Sequence, residues 1–212
     1  MDKLDLKNYR QPIQDRANTA YEAILESAKE LIALDKEELL RARNLTQRAG
    51  YSTGTIYRYF KKLEDIFVLL FVQKRKQTIQ ELVQKIDQHS PHDNLSILID
   101  NVLEAGIRAQ RNGVSKKLFS IFVKHYFRRV PEPEMFMAVG DLLIEPLYQA
   151  QRRDQTNTMK IMEINELKLK IRCIQTAMLI PMLEGSELVG TDEHMKLAHE
   201  IAVSLLGKKL PT

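Results

Sequence analysis

The stretch AGYSTGTIYRYF, residues Ala49 to Phe60, decides how the rest of the chain is read. Ala49-Gly50 has the form of a helix end followed by a tight turn, since glycine takes positive φ at little steric cost. Ser52 suits an N-cap, its hydroxyl placed to accept from the free N–H of Gly54 or Thr55. In the helix that follows, Ile56, Tyr59 and Phe60 fall at i, i+3, i+4 and can pack on a core. Thr53, Tyr57 and Lys61, at i, i+4, i+8, form an outward row. Gly54 in the first turn lets unsatisfied N–H groups come close to a phosphate. A short helix, a turn and a second helix with a polar, aromatic face have the form of a helix-turn-helix DNA reader.

Charge agrees with that form. Between Arg41 and Lys62 stand Arg41, Arg43, Arg48, Arg58, Lys61 and Lys62, with no Asp or Glu. The whole chain carries only +4 at pH 7, so everything outside this segment is net negative. A cationic patch this concentrated is the electrostatic footprint of a DNA-binding face. Base contacts specify and phosphate contacts orient. Thr53 and Thr55, at the helix start, are therefore expected at base edges or thymine methyls, and Arg43 at a base or nearby phosphate. Tyr57, Tyr59 and Lys62 are expected to position the backbone, with Gly54, Arg58 and Lys61 completing the surface.

Residues Arg16 to Leu70 resemble the DNA-binding domain of the tetracycline-repressor (TetR) family of bacterial regulators. The residues that carry the resemblance are Leu45, Arg48-Ala49-Gly50, Ser52, Gly54-Thr55, Ile56, Tyr57 and Tyr59-Phe60, several residue types at fixed spacing. The chain departs from the family pattern at Lys36, where a glycine often closes helix 1, and at Arg41, where a threonine often caps helix 2. Thr46 stands in place of a small alanine, and Leu63 in place of a phosphate-contacting lysine. The resemblance implies a homodimer in which the last two helices of each chain build a four-helix bundle. It also implies a ligand-binding helical domain behind the reading head.

The chain has 212 residues, 44% of them hydrophobic, enough for a folded core. The first fifteen residues are polar, and no apolar run approaches the roughly 20 residues that span a bilayer. The single cysteine, Cys173, fits a reducing compartment. A cytoplasmic location is expected.

Helical periodicity runs through the whole sequence, and an all-α fold of about nine helices is expected. Residues 1–62 would form the helix-turn-helix DNA-binding domain, and 63–212 the helical effector-binding and dimerisation domain. Helix 1 is placed at 15–34 on the stripe Ala17, Ala20, Ile24, Ala28 and Leu31. Helix 2 is placed at 42–49, helix 3 at 53–60 and a long helix 4 at 64–88, with Ile66, Leu70, Gln73, Gln77 and Leu82 in phase. A fifth is expected at 94–111, an aromatic sixth at 115–129, a seventh at 134–153 and an eighth at 165–184. A ninth follows Thr191.

The eighth carries two apolar seams about 200° apart. Leu167, Ile171, Ile174 and Met178 are the expected dimer interface, and Leu169, Cys173, Ala177 and Ile180 form the other seam. Either could instead meet the chain's own core. The sixth helix, with Phe122, His125 and Tyr126, is the expected wall of a pocket for an apolar or aromatic effector; plain core is the competing reading of the same aromatic row.

Other chemistry finds no support. The five histidines are not spaced as metal ligands, and no phosphate-cradling glycine loop or nucleophile motif occurs. No catalytic residue, metal or cofactor is expected. The function expected is that of a dimeric repressor released from a pseudo-palindromic operator by a small molecule. The alternatives are a helical DNA-binding regulator controlled by a partner protein, and an enzyme housed in the helical domain.

Overall fold

The computed structural model describes residues 15–34, 41–111, 134–184 and 186–208. Eight helices occur among them: α1 (Asp15–Ala33), α2 (Ala42–Ala49), α3 (Thr53–Tyr59), α4 (Leu63–Asp87), α5 (Leu95–Arg111), α6 (Glu134–Arg153), α7 (Ile164–Leu183) and α8 (Asp192–Leu206). Among the described residues no strand forms, and the only β feature is an isolated antiparallel bridge between Met159 and Gly207. The fold is all-α, as the periodicity indicates. The polar arm at 1–14, Lys36, and the sixth expected helix with Phe122, His125 and Tyr126 lie outside the described residues. The chain divides into two compact units, and the division falls within α4, after Lys74.

In the first unit α1, α2 and α3 pack on one another. The expected stripe of α1 is buried at Ala20, Ile24, Ala28 and Leu31, but Tyr21, Leu25 and Ile32 are buried as well. The inward face of α1 is therefore wider than one i, i+4 row. Leu45 from α2, Ile56 from α3 and Phe60 just after α3 are all buried. So are Ile66, Leu70 and Phe71 at the start of α4, which is why the unit continues past α3.

In the second unit α6 packs on α7, α7 on α8, and α5 on α8. The later half of α4 adds Leu82 and Ile86 to the same core. Gln77, assigned by phase to the stripe of α4, is exposed, and Ile79 is buried instead. Helix ends follow their capping chemistry. The Asn94 side-chain oxygen accepts from Ile97 N at 3.1 Å and opens α5, and Thr191 Oγ1 accepts from His194 N at 3.3 Å and opens α8. Arg153 Nη2 donates to the carbonyls of Ile86 and Asp87 at 2.6 and 3.0 Å, closing α4 with a cation at its negative end. Pro146 lies inside α6 and Pro181 inside α7, and neither ends its helix.

The segment 154–163, between α6 and α7, is built on two side chains. Asp154 accepts from Thr156 N and Met159 N, each at 2.8 Å. Buried Gln151 pairs with the backbone of Met162 in both directions, donating to its carbonyl at 2.7 Å and accepting from its N–H at 3.2 Å. These bonds tie the segment that leads into α7 to the end of α6.

Burial along α7 corrects the expected dimer seam. Leu167 and Ile171 are buried in this chain's own core at 2% and 5% exposure, and Ile174 and Met178 pack against the same cluster. The opposite seam faces out: Leu169 is 67% exposed, Ile180 43%, and Cys173 is exposed between them. The physical reason is the position of α7 on both α6 and α8, whose apolar residues cover the Leu167 side.

Candidate nucleic-acid interface

The turn between α2 and α3 forms as its residues require. Gly50 ends α2 with φ of 74°, the left-handed region, and its N–H bonds the Thr46 carbonyl at 3.0 Å. Ser52 caps α3: its Oγ accepts from Thr55 N at 3.2 Å and lies 3.0 Å from Thr55 Oγ1. Arg41 occupies the cap of α2 without a side-chain cap bond, since a guanidinium has no acceptor to offer the helix N–H groups. Thr46, the other departure within α2, is accommodated by a bond from its Oγ1 to the Arg43 carbonyl at 2.6 Å.

The outward row is outward. Thr53, Gly54 and Lys61 are exposed and Tyr57 is 47% exposed, while Ile56 on the opposite side is fully buried. Thr55 is half-buried and shares its hydroxyl with Ser52, so Thr53 offers the freer group. At Gly54 a Cβ would meet only Ser52 Oγ, at 3.8 Å, and its φ lies outside the left-handed region. Neither packing nor backbone geometry calls for glycine there. A close approach from outside the chain would, as the sequence suggested.

The cations differ in their engagement. Arg41, Arg43, Arg58, Lys61 and Lys62 are exposed. Among the described residues only Arg48 of the six is ion-paired, with its Nε 2.5 Å from Glu30 Oε2 on α1. Asp65 accepts from Lys62 N at 3.0 Å at the start of α4. Tyr59 is held more firmly than its assignment to the backbone-contacting set implied. Its ring meets Tyr21 of α1 edge-on at 6.1 Å, and its hydroxyl accepts from Arg58 Nη2 at 2.8 Å. Periodicity could not have found this pair, because adjacent residues on a helix do not share a face.

One further polar cluster escaped the sequence. His199 of α8 places Nδ1 2.6 Å from Asp100 Oδ1 and Nε2 3.1 Å from Ser96 Oγ, both on α5. The order of atoms is that of a Ser-His-Asp relay. An orienting aspartate in such a relay is buried, whereas the Asp100 side chain is 67% exposed. We read the row as a polar tie between α5 and α8. No group of three or more metal-ligating side chains occurs among the described residues. None of their helices is long and apolar enough to cross a membrane.

No protein-family model matches the chain. A curated relative, the fatty acid metabolism regulator protein of Bacillus subtilis, is 32% identical over 80 residues, which is 37% of this chain and 41% of that protein. The match thus spans less than half the length of the relative. Solved structures match over far more of the chain. A TetR family transcription regulator from Marinobacter aquaeolei aligns with a TM-score of 0.52 at 18% identity, covering 92% of this chain and 98% of its own. A candidate transcriptional regulator from Saccharomonospora viridis, in complex with choline, aligns at 0.63 and 16%, covering 90% and 98%. The chain has the all-α fold of TetR family transcription regulators.

Proposed function

We propose that this chain is a TetR-type, sequence-specific transcription regulator, a homodimeric repressor that a small molecule releases from its operator. The observation that carries the reading is the α2–turn–α3 unit. It is capped by Ser52, turned at Gly50, exposed at Thr53, Gly54 and Tyr57, and flanked by five exposed cations with no ion pair among the described residues. The shared fold and the match to a regulator protein support it. In this reading Thr53, Thr55 and Arg43 address bases, and Tyr57, Arg58, Tyr59, Lys61 and Lys62 address phosphates. It carries with it a cytoplasmic location and no catalytic role.

The homodimer forms through α7 and α8, as the family resemblance implies, but along the outward seam of Leu169, Cys173 and Ile180, with Leu197 of α8 also exposed. A helix apolar on two sides needs cover on both, and the chain's own core supplies only one. A small organic effector is supported by the choline complex of a protein with this fold. The assignment of Phe122, His125 and Tyr126 to an apolar or aromatic effector rests on their sequence pattern.

Selection of bound duplexes from a random pool tests the reading. The enriched site should be a pseudo-palindrome with half-sites about one helical turn, roughly 34–36 Å, apart or a multiple of it. Affinity should fall steeply with salt. A Thr53/Thr55 double alanine variant should enrich a different site. Salt-independent affinity, or an unchanged preference in that variant, overturns the assignment. Release of the duplex by a protein but by no small molecule would replace the effector with a partner.

A further inference from the structure

Arg58 and Tyr59 stand side by side at the end of α3, and the structure joins them. Arg58 Nη2 donates to Tyr59 Oη at 2.8 Å, and the guanidinium carbon lies 4.9 Å from the centre of the Tyr59 ring. The ring is itself fixed from behind, edge-on to Tyr21 at 77°. Tyr21 is in turn stacked on Phe60 with centroids 5.2 Å apart, and both are almost fully buried. Burial, with Glu22 nearby, pushes the Tyr21 hydroxyl up to about 12, so this support stays neutral. A rigid aromatic base thus holds a phenol, and the phenol holds a guanidinium that is exposed.

A phenol oxygen that accepts one hydrogen bond still has its own proton to donate, and a guanidinium with five N–H groups still has four. A donor polarised by a neighbouring cation binds an anion more strongly. We propose that Arg58 and Tyr59 act on DNA as one phosphate clamp, Tyr59 orienting the Arg58 fork and adding its own O–H to the same backbone phosphate. The inference rests on the reading of α3 as a DNA-binding helix. It replaces two independent contacts with a coupled pair.

A double-mutant cycle in the full-length protein tests it, with affinity measured on a selected duplex and on a random duplex between about 50 and 200 mM salt. Tyr59→Phe should weaken both duplexes alike, by about tenfold. It should also lower the salt slope by about one, as Arg58→Ala does, although it removes no charge. The double variant should bind more tightly than the product of the two single losses gives, because part of each loss is the same coupled contact. A purely structural role for Tyr59 would instead lower Tm and leave the slope unchanged. An unchanged slope in Tyr59→Phe, or losses that multiply in the double variant, overturns the clamp. Arg58→Lys keeps the charge and loses the fork, so binding at wild-type strength by that variant overturns it too. Failure of the wild-type protein to bind any duplex would sink the reading of α3 itself, before any variant is compared.

Discussion

Helices α3 and α7 each have two faces, and they were not equally readable. On α3 the faces differ in kind. Ile56 and the adjoining Phe60 are apolar and buried, while Thr53, Gly54 and Lys61 are polar or small and exposed. On α7 both faces are apolar, Leu167 and Ile171 on one side, Leu169 and Ile180 on the other. The hydrophobic effect is non-directional, so it ranks an apolar face above a polar one and is silent between two apolar ones. The expectation for α3 matched the structure, and the expectation for α7 took the wrong seam. Burial settles the choice: Leu167 and Ile171 lie in the core that α7 shares with α6 and α8.

The largest effect should come from exchanging charges between the two seams of α7. Ile171→Glu buries a carboxylate in the second unit and should cost on the order of 4 kcal/mol, seen as a large fall in Tm. Leu169→Glu should leave Tm of the folded chain almost unchanged and convert a dimer to a monomer in sedimentation. Equal destabilisation by both would erase the distinction between the seams.

A smaller effect tests the polar face of α3. Gly54→Ala meets no packing obstacle and should raise stability by about 0.5–1 kcal/mol, as alanine does in a helix. It should nevertheless weaken DNA binding by about tenfold, because the added methyl stands where a phosphate would approach. Unchanged binding would mean that the bare surface at Gly54 is unused.

The smallest effect concerns the anchor of α7. Burial works to raise the Asp154 carboxyl, but hydrogen bonds from Thr156, Met159 and Thr158 outweigh it and hold the group below its ordinary 3.8. A depressed carboxylate contributes stability above its unfolded value and loses it as pH falls through the folded one. Asp154→Asn should therefore cost about 1 kcal/mol near neutral pH. The gap in Tm to wild type should close below about pH 4. A gap that persists in acid would show that the contribution is not the carboxylate's charge.

By itself the sequence determined the helices and the capped turn between α2 and α3. Every described helix begins and ends within about one residue of its expected place, because caps at Ser52, Asn94 and Thr191 and the turn at Gly50 are local chemistry. The exposed row of α3 was legible for the same reason, since polarity and spacing both lie within one helix. Only the tertiary structure decided which seam of α7 is core, that the first unit extends to Lys74, that Glu30 neutralises Arg48, and that Arg58 leans on Tyr59. His199 could not be tied to Asp100 and Ser96 without it either. Most of these are relations between residues far apart in the chain, or between neighbours whose side chains a helical period points apart. Their energies depend on distance and burial, which a linear pattern does not contain.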